Sequence, residues 1–249
     1  MEVICVSGFL LPDGHFGIFQ WRDTMYKGFL KRVIDFVLSL CALLVLWPVL
    51  LILVILGWIK MKGNPFFTQL RPGKDEKIFK LIKFRTMTCE TDENGDLLPD
   101  EVRLTKYGQL LRSTSLDELP ELLNILVGDM AIVGPRPQLV RDMVFMTPEQ
   151  RKRHSVRPGL TGLAQCSGRN AMTWEKKFEY DLEYIKNITF LGDIKIILQT
   201  VVKVFKRDGI TEEGMATAAD LGDYLLSEGR VTKQDYDAKQ AQAKELMGV

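Results

Sequence analysis

The chain has 249 residues, with 33 basic and 32 acidic side chains and a formal net charge of +1. It is long enough for one catalytic domain with appendages, and it lacks the overall positive charge typical of nucleic-acid binding. Two histidines, His15 and His154, argue against a histidine-based zinc site or a Ser-His-Asp triad. No C-x-x-C pair occurs among the four cysteines, which are Cys5, Cys41, Cys89 and Cys166. Their scatter favours a reducing compartment without a disulfide framework.

Residues 1–24 lack the basic region and the long apolar region of a signal peptide. The codons for Arg22-Asp23 are compatible with a ribosome-binding sequence just before Met25. Two interpretations therefore stand: the segment results from an upstream start codon, or it is a genuine short extension.

Residues 36–59 carry no charge and read FVLSLCALLVLWPVLLILVILGWI. About 20 apolar residues suffice to cross a bilayer as a helix. Pro48, near the middle, removes a helical hydrogen bond and bends the helix. Basic residues flank both ends, namely Lys27, Lys31 and Arg32 before and Lys60 and Lys62 after. Because the positive-inside rule then gives no direction, we predict a re-entrant helix that kinks at Pro48 and returns to the cytoplasm. An ordinary single-pass anchor is the alternative, since proline is tolerated in spanning helices.

The segment from Lys77 to Met87 alternates apolar and polar residues and predicts a short strand. A period of two places Lys83 and Arg85 on one face, where they could bind a pyrophosphate. The alternative is that both are solvated strand charges. Cys89 to Asp100 is acidic and rich in turn residues, which predicts a surface loop.

The carboxylate pair Asp117-Glu118 is the most informative feature of the chain. Pro120 is tolerated only near a helix start, so the apolar helix that follows should begin close to Asp117, with this residue as its N-cap. The partial positive charge of that terminus would keep Asp117 ionised and attract phosphate. An ionised aspartate can attack phosphorus, and Glu118 can hold Mg²⁺.

Two arginines flank this pair, Arg112 before it and Arg136 within the turn Gly134–Pro137. Guanidinium groups can fork onto phosphate oxygens and offset the charge that develops during transfer. Ser115-x-x-Glu118 also fits a capping box with no catalytic role. The arginines and the apolar segment together favour phosphate chemistry at a bilayer surface.

Further along, the sequence predicts that a helix starts within Thr147–Arg153, with Pro148 at the first helical position. The glycines and proline of residues 158–162 predict a loop, followed by Gln165 and Arg169 near Gly168. These last two side chains could contact a substrate or only stabilise a turn.

Apolar residues recur at helical spacing between residues 194 and 205, with basic residues beside them. This pattern predicts an amphipathic helix that either lies on anionic lipid or packs on the core. The last part of the chain predicts a helical hairpin: Gly229 closes its first helix and Thr232-x-x-Asp235 caps its second. About 30 residues cannot bury an independent core, so the hairpin should pack on the body or on another subunit.

The motifs as a set resemble the bacterial sugar transferase family, the monotopic polyprenol-phosphate phosphoglycosyl transferases. The matching segments, between about Met25 and about Thr217, are Lys31-Arg32-x-x-Asp35, Phe66-Phe67-Thr68-Gln69-x-Arg71-x-Gly73, Lys83-Phe84-Arg85-Thr86-Met87, Ser115-Leu-Asp-Glu-Leu-Pro120, Gly128-Asp-Met130, Gly134-Pro-Arg-Pro137, Arg157-Pro-Gly-Leu-Thr-Gly-Leu-Ala-Gln165 and Gly168-Arg-Asn170. The segments Trp174–Asp181 and Glu213–Thr217 resemble the small members that transfer N,N′-diacetylbacillosamine 1-phosphate.

The resemblance implies an α+β, mostly helical monotopic membrane protein with one re-entrant kinked helix, amphipathic interfacial helices and a small β element. It implies four parts: an unmatched extension (1–24), the re-entrant membrane helix (25–62), a cytoplasmic transferase domain (63–217) and the C-terminal hairpin (218–249). Two positions depart from the family pattern. Trp47 replaces the usual serine before the kink proline and cannot satisfy a freed carbonyl in the same way, and Ser167 replaces an asparagine near the expected sugar site.

The implied reaction has two steps. Asp117 attacks the β-phosphate of a UDP-sugar and releases UMP, and undecaprenyl phosphate then takes the sugar phosphate from the enzyme. Glu118 would bind Mg²⁺, and phosphates or donor would contact Lys83, Arg85, Arg112, Arg136, Gln165 and Arg169. The implied location is the cytoplasmic face of the bacterial inner membrane, with downstream glycosyltransferases or a second copy as further partners. Two alternatives stand: UDP-glucose or UDP-galactose as the donor, and a catalytically silent membrane scaffold.

Overall fold

The computed structural model describes residues 25–168, 172–206 and 219–248. A π-helical turn, Tyr26–Leu30, leads into the first helix. The helices are α1 (Lys31–Met61), α2 (Asp100–Arg103), α3 (Lys106–Thr114), α4 (Glu121–Val127), α5 (Val140–Met143), α6 (Pro148–Arg151), α7 (Leu163–Ser167), α8 (Trp174–Lys186), α9 (Phe190–Lys206), α10 (Leu221–Ser227) and α11 (Lys233–Met247). The strands are β1 (Phe66–Pro72), β2 (Ile78–Phe84), β3 (Ala131–Val133) and β4 (Gly159–Thr161). The prediction of a mostly helical α+β chain with a small β element is confirmed.

Helix α1 is long and apolar enough to cross a membrane by length and composition. One side of it faces outward with exposed apolar side chains, including Leu44, Val45 and Trp58. The other side packs on the body along the whole helix, from Asp35 and Ser39 to Leu53, Gly57 and Met61. Helix α1 continues through Trp47 and Pro48, so no unwound turn separates its two halves.

Polar contacts attach α1 to the body in its first turn and in its last third. The Arg32 guanidinium donates to the carbonyl oxygens of Ile125 (2.6 Å) and Leu126 (2.8 Å), which lie in the last turn of α4. In the last third of the helix, the Tyr107 hydroxyl donates to the Leu53 carbonyl at 2.9 Å. The helix is therefore anchored to one body near its start and again in its last third.

Strands β1 and β2 form an antiparallel hairpin with a register from Phe66↔Phe84 to Pro72↔Ile78. Inward-facing Phe79 and Leu81 pack against Leu122 and Ile125 of α4. The predicted strand is confirmed over β2, which contains Lys83. Arg85, predicted to lie on the same face as Lys83, follows directly after the strand. The acidic segment after β2 has exposed residues, as the surface-loop prediction requires.

The segment around Gly159 is not a loop, and this prediction was wrong. Strand β4 pairs in parallel with β3, with Ala131 opposite Gly159 and Val133 opposite Thr161. A β-carbon on Gly159 would lie 2.1 Å from the Gly134 nitrogen. Glycine therefore permits the backbones of β3 and β4 to approach closely here. In the sequence alone, a glycine needed for such an approach looks the same as a glycine in a turn.

The remaining helices agree with the predictions. Helix α6 begins at Pro148, and its N-cap Thr147 accepts a hydrogen bond from the Gln150 amide. The helical hairpin is α10 and α11, and it packs on the body, where Leu221 and Ala243 join a core cluster with Val140, Met143 and Trp174. On α9, Ile196 is buried whereas Leu191, Leu198, Val201 and Val202 are exposed, so the helix has one face on the core and one apolar face outward.

Candidate active site

The carboxylate pair lies in a 3₁₀ turn, Leu116–Glu118, between α3 and α4. Ser115 ends α3 in the left-handed conformation (φ 56°) and makes no side-chain cap, and α4 begins only at Glu121, after Pro120. The prediction of Asp117 as N-cap was therefore wrong, and the alternative of a Ser115–Glu118 capping box is not formed either. The reason is local backbone geometry: the left-handed residue and the proline separate the pair from both helices, so its side chains project toward other elements.

Glu118 is held by two cations from different parts of the chain. Its Oε1 lies 2.8 Å from Lys83 Nζ, on β2, and 2.8 Å from Arg136 Nη2, in the turn after β3. Lys83 Nζ also lies 3.0 Å from Oε1 of Glu121, in the first turn of α4. Lys83 is thus shared by two carboxylates and is not the solvated strand charge of the alternative interpretation.

The two carboxyls of the pair have opposite pKa shifts. Burial alone would raise the pKa of Glu118, but Arg136 and Lys83 outweigh it and hold that pKa well below its usual range. Burial raises the pKa of Asp117, the Glu118 charge raises it further, and Lys83, Arg136 and Arg112 oppose the rise. The expectation that a helix terminus stabilises ionised Asp117 is corrected: the neighbouring cations provide this stabilisation, against burial.

The other two predicted cations differ in their placement. Arg112 Nε donates to the Thr86 hydroxyl at 3.1 Å, and its charge acts on Asp117. Arg85 is half-buried, and among the described residues the ion pairs of Glu118 are with Lys83 and Arg136 and do not include Arg85. Among the described residues, the structure thus brings Lys83, Arg112 and Arg136 to the pair, whereas Arg85 forms no ion pair there.

Two further arginines donate hydrogen bonds to backbone carbonyls of the turn that carries Arg136. Arg153 Nη2 donates to the Arg136 carbonyl (2.7 Å), and Arg71 Nη1 donates to the Pro137 carbonyl (3.1 Å). Arg153 is itself fully buried and paired with Asp181 at 2.6 Å. Sequence reasoning missed the Arg153–Asp181 pair, because charged residues in helical segments are usually solvated and no local pattern marks this pair as buried.

Glu121 was also missed as a site residue. It is 2% exposed, and burial raises its pKa. The charge of Lys83 opposes this rise and the charge of Glu118 adds to it, so the pKa remains raised. A signal was available: Glu121 follows Glu118 by three residues, and such residues lie on one face of a helical segment.

Gln165 and Arg169 complete the predicted set. Gln165 lies on α7 and donates to the Leu160 carbonyl at 3.0 Å, while its buried Oε1 has no hydrogen-bond partner in the described structure. The acceptor belongs to strand β4, so this contact tests neither of the two roles predicted for Gln165. Arg169 lies outside the described residues.

The carboxylates suit a magnesium ion that takes its remaining ligands from phosphate groups. The described residues contain no group of three or more histidine, cysteine or carboxylate side chains placed to hold a metal by themselves. Mg²⁺ usually needs only one or two protein carboxylates together with phosphate oxygens and water. Lys83 and Arg136 occupy one oxygen of Glu118, so its other oxygen and the Asp117 carboxylate are the donors that fit.

The class of protein suggested by an apolar helix on a small α+β body, with a carboxylate pair among cations, is a membrane-associated enzyme. Residues 26–207 match the family described as bacterial sugar transferase. The chain belongs to this family, and the prediction of a phosphoglycosyl transferase enzyme is thereby confirmed.

Similar proteins include an uncharacterized sugar transferase, EpsL, from Bacillus subtilis (strain 168), which is 48% identical over 189 residues, or 76% of this chain and 94% of EpsL. A UDP-glucose:undecaprenyl-phosphate glucose-1-phosphate transferase from Klebsiella pneumoniae is 41% identical, over 70% of this chain and 40% of that protein. A UDP-galactose-lipid carrier transferase from Erwinia amylovora is 36% identical, over 73% of this chain and 41% of that protein. The chain thus spans nearly all of EpsL but about two fifths of the two relatives whose names give a substrate.

Proposed function

We propose that the chain transfers a sugar 1-phosphate from a UDP-sugar to undecaprenyl phosphate, giving undecaprenyl diphosphate-sugar and UMP. The observation that carries this proposal is the pair Asp117-Glu118, whose second member is held by Lys83 and Arg136. Three elements distant in sequence converge there on two adjacent carboxylates. A helix cap would need none of these cations, and the pair forms no such cap.

In the proposed first step, a carboxylate oxygen of Asp117 attacks the β-phosphorus of the donor. The bond from that phosphorus to the UMP oxygen breaks, and the sugar phosphate becomes bound to Asp117. In the second step, a phosphate oxygen of undecaprenyl phosphate attacks the same phosphorus and releases the Asp117 carboxylate. Arg136, Lys83 and Arg112 offset the charge on the phosphate oxygens. When bound at Glu118, Mg²⁺ would neutralise diphosphate charge and orient the donor.

For the donor, the named relatives favour UDP-glucose or UDP-galactose over UDP-N,N′-diacetylbacillosamine. We therefore place the hexose donors first and keep diacetylbacillosamine as the second candidate. A donor panel decides between them: UMP release is measured with undecaprenyl phosphate, Mg²⁺ and each UDP-sugar in turn. Turnover with the diacetylbacillosamine donor alone would reverse this order.

For location, we propose the cytoplasmic face of the bacterial inner membrane, with α1 inserted from that side. The attachment of α1 to one body at Arg32 and again at Leu53 supports this topology, because a single-pass helix would leave the body as it crosses the bilayer. The exposed apolar faces of α1 and α9 supply surface for lipid contact. Downstream glycosyltransferases or a second copy are further candidate partners.

The decisive experiment replaces the nucleophile. Asp117→Asn keeps the size of the side chain and, since Asp117 caps no helix, should change the free energy of unfolding by less than about 1 kcal/mol. Turnover should fall by several orders of magnitude. Intact-mass measurement should show a phosphosugar adduct on the wild type incubated with donor alone, and no adduct on the variant. Wild-type turnover in Asp117→Asn would reject the mechanism, and absence of UMP release by the wild type with every donor would favour a non-catalytic scaffold.

A further inference from the structure

Asn124, on α4, is a buried polar residue that the proposed reaction does not use. Its side chain is 3% exposed, although it lies in an apolar helix between Leu123 and Ile125. A buried amide is costly unless it is hydrogen-bonded, so its partners indicate what it does.

Both ends of the Asn124 amide bond the backbone of β2. The Ile82 amide donates to Oδ1 at 3.1 Å, and Nδ2 donates to the Lys80 carbonyl at 2.9 Å. Nδ2 also lies 3.4 Å from Oδ2 of Asp129, a second acceptor that supports this orientation of the amide. Strand β1 pairs with one edge of β2 in the two-stranded sheet. The Asn124 side chain therefore acts on the other edge as a neighbouring strand would, with one acceptor and one donor.

The same helix face reaches the active site. Glu121 precedes Asn124 by three residues and so lies on the same side of α4. Its Oε1 is 3.0 Å from Nζ of Lys83, the residue next to Ile82. Sliding α4 along β2 by even one residue would move Lys83 away from Glu121 and from the 2.8 Å contact with Glu118.

We infer that Asn124 is a positioning residue for catalysis: by binding the edge of β2 it sets the register at which Lys83 meets Glu118 and Glu121. This inference rests on the proposed function for its effect on turnover. Its effect on Lys83 itself is independent of that function. Asn124 touches no reacting group, so it acts only through the placement of Lys83.

A double-mutant cycle tests the inference. Asn124→Ala and Lys83→Ala are made singly and together, and kcat and KM are measured for UMP release. Asn124→Ala should lower kcat at least tenfold, and the same change in the Lys83→Ala background should lower it less than twofold. A parallel cycle with Arg112→Ala should be close to additive, because the hydrogen bonds of the Asn124 side chain go to Ile82, Lys80 and Asp129. Additive effects with Lys83 would overturn the inference.

A chemical readout separates this test from the proposed function. A short pulse of an amine-reactive reagent, read by mass spectrometry, measures the reactivity of Lys83 relative to exposed Lys77 in the same hairpin. Labelling of Lys83 should increase several-fold in Asn124→Ala. Asn124→Asp, which retains the acceptor for Ile82 but sets a carboxylate oxygen against the Lys80 carbonyl and Asp129, should also increase Lys83 labelling and serves if the alanine variant does not fold. Unchanged Lys83 labelling in a folded variant would contradict the inference even if no donor supports turnover.

Discussion

At the scale of single residues, the site depends on ion pairs that two cations and two carboxylates share. Lys83 contacts Glu118 and Glu121 together, and Arg136 contacts Glu118 on the same oxygen. Arg136 is partly exposed even though its Nη2 is paired with Glu118. A guanidinium can hold a carboxylate and a phosphate at once, which a lysine ammonium does less well because its donors lack the planar fork.

The pH dependence of turnover should reveal the charge of Arg136. This residue lowers the pKa of both Asp117 and Glu118, so Arg136→Met should raise both. Because a raised pKa means that ionisation requires higher pH, the acidic limb of the kcat/KM profile should move to higher pH. Arg136→Lys, with its charge retained, serves as the control and should move the limb less while raising KM. An identical limb in wild type and Arg136→Met would show that neither carboxylate governs it.

At the scale of elements, the C-terminal hairpin is attached close to the arginine-bearing turn. Asp142, on α5, accepts hydrogen bonds from the Leu221 amide (2.9 Å) and the Leu139 amide (3.2 Å). Gly222 packs on the Phe145 ring. Helix α5 starts three residues after Pro137, so the hairpin supports the segment that follows the site.

Asp142 should give the hairpin contact a measurable pH dependence. Burial raises the pKa of Asp142 to about 6, Asp220 contributes to the rise, and Arg141 and the two backbone amides oppose it. Between the unfolded value of 3.8 and about 6 the folded state binds more protons, so this group stabilises the fold at low pH and less as pH rises through 6. Urea unfolding at pH 4.5 and 7.5 should show this loss in the wild type and a smaller one in Asp142→Asn. Equal losses in the two proteins would refute the assignment.

Docking of the hairpin also requires a glycine at position 222. A β-carbon there would lie 2.7 Å from Cε2 of Phe145. Gly222→Val should therefore lower the free energy of unfolding by roughly 1–3 kcal/mol, as overpacking does in other cores. Glu228→Val, at an exposed position of the same hairpin, is the matched control. Thermal unfolding measures both variants, and equal melting temperatures would mean that the hairpin does not pack as described.

At the scale of the whole molecule, the long helix and the body form one unit. Clusters of core residues pack along α1: Leu43 and Leu46 meet the cluster around Ile125, and Leu50 and Val54 meet the cluster around Leu111. A bilayer must accommodate α1 together with the body to which it is packed. Insertion of α1 from one side, as proposed above, would leave this packing intact.

Labelling of single cysteines should test that topology. Cysteines replace Lys27 and Lys60, both exposed, in a chain whose four natural cysteines are serine. Lys60 is preferred to Lys62, which has a left-handed backbone (φ 51°). A membrane-impermeant thiol reagent should label both positions in inverted membrane vesicles and neither in intact spheroplasts. Labelling of the two positions from opposite sides would establish a single-pass anchor.

The sequence by itself determined the features that depend on local chemistry. Uninterrupted apolar residues specified α1, alternation specified β2, and glycine and capping signals specified the ends of the C-terminal helices. The Asp117-Glu118 pair and its flanking arginines were identifiable because adjacent carboxylates and guanidiniums have a restricted chemical use.

Only the tertiary structure decided how these residues are used. It placed Lys83 between two carboxylates, buried Glu121 and the Arg153–Asp181 pair, and made Gly159 part of a strand. It also removed Asp117 from the helix start where its sequence context predicted it. The physical reason is common to these cases: burial, ion pairing and backbone approach depend on residues distant along the chain, and no local pattern specifies which distant groups will meet.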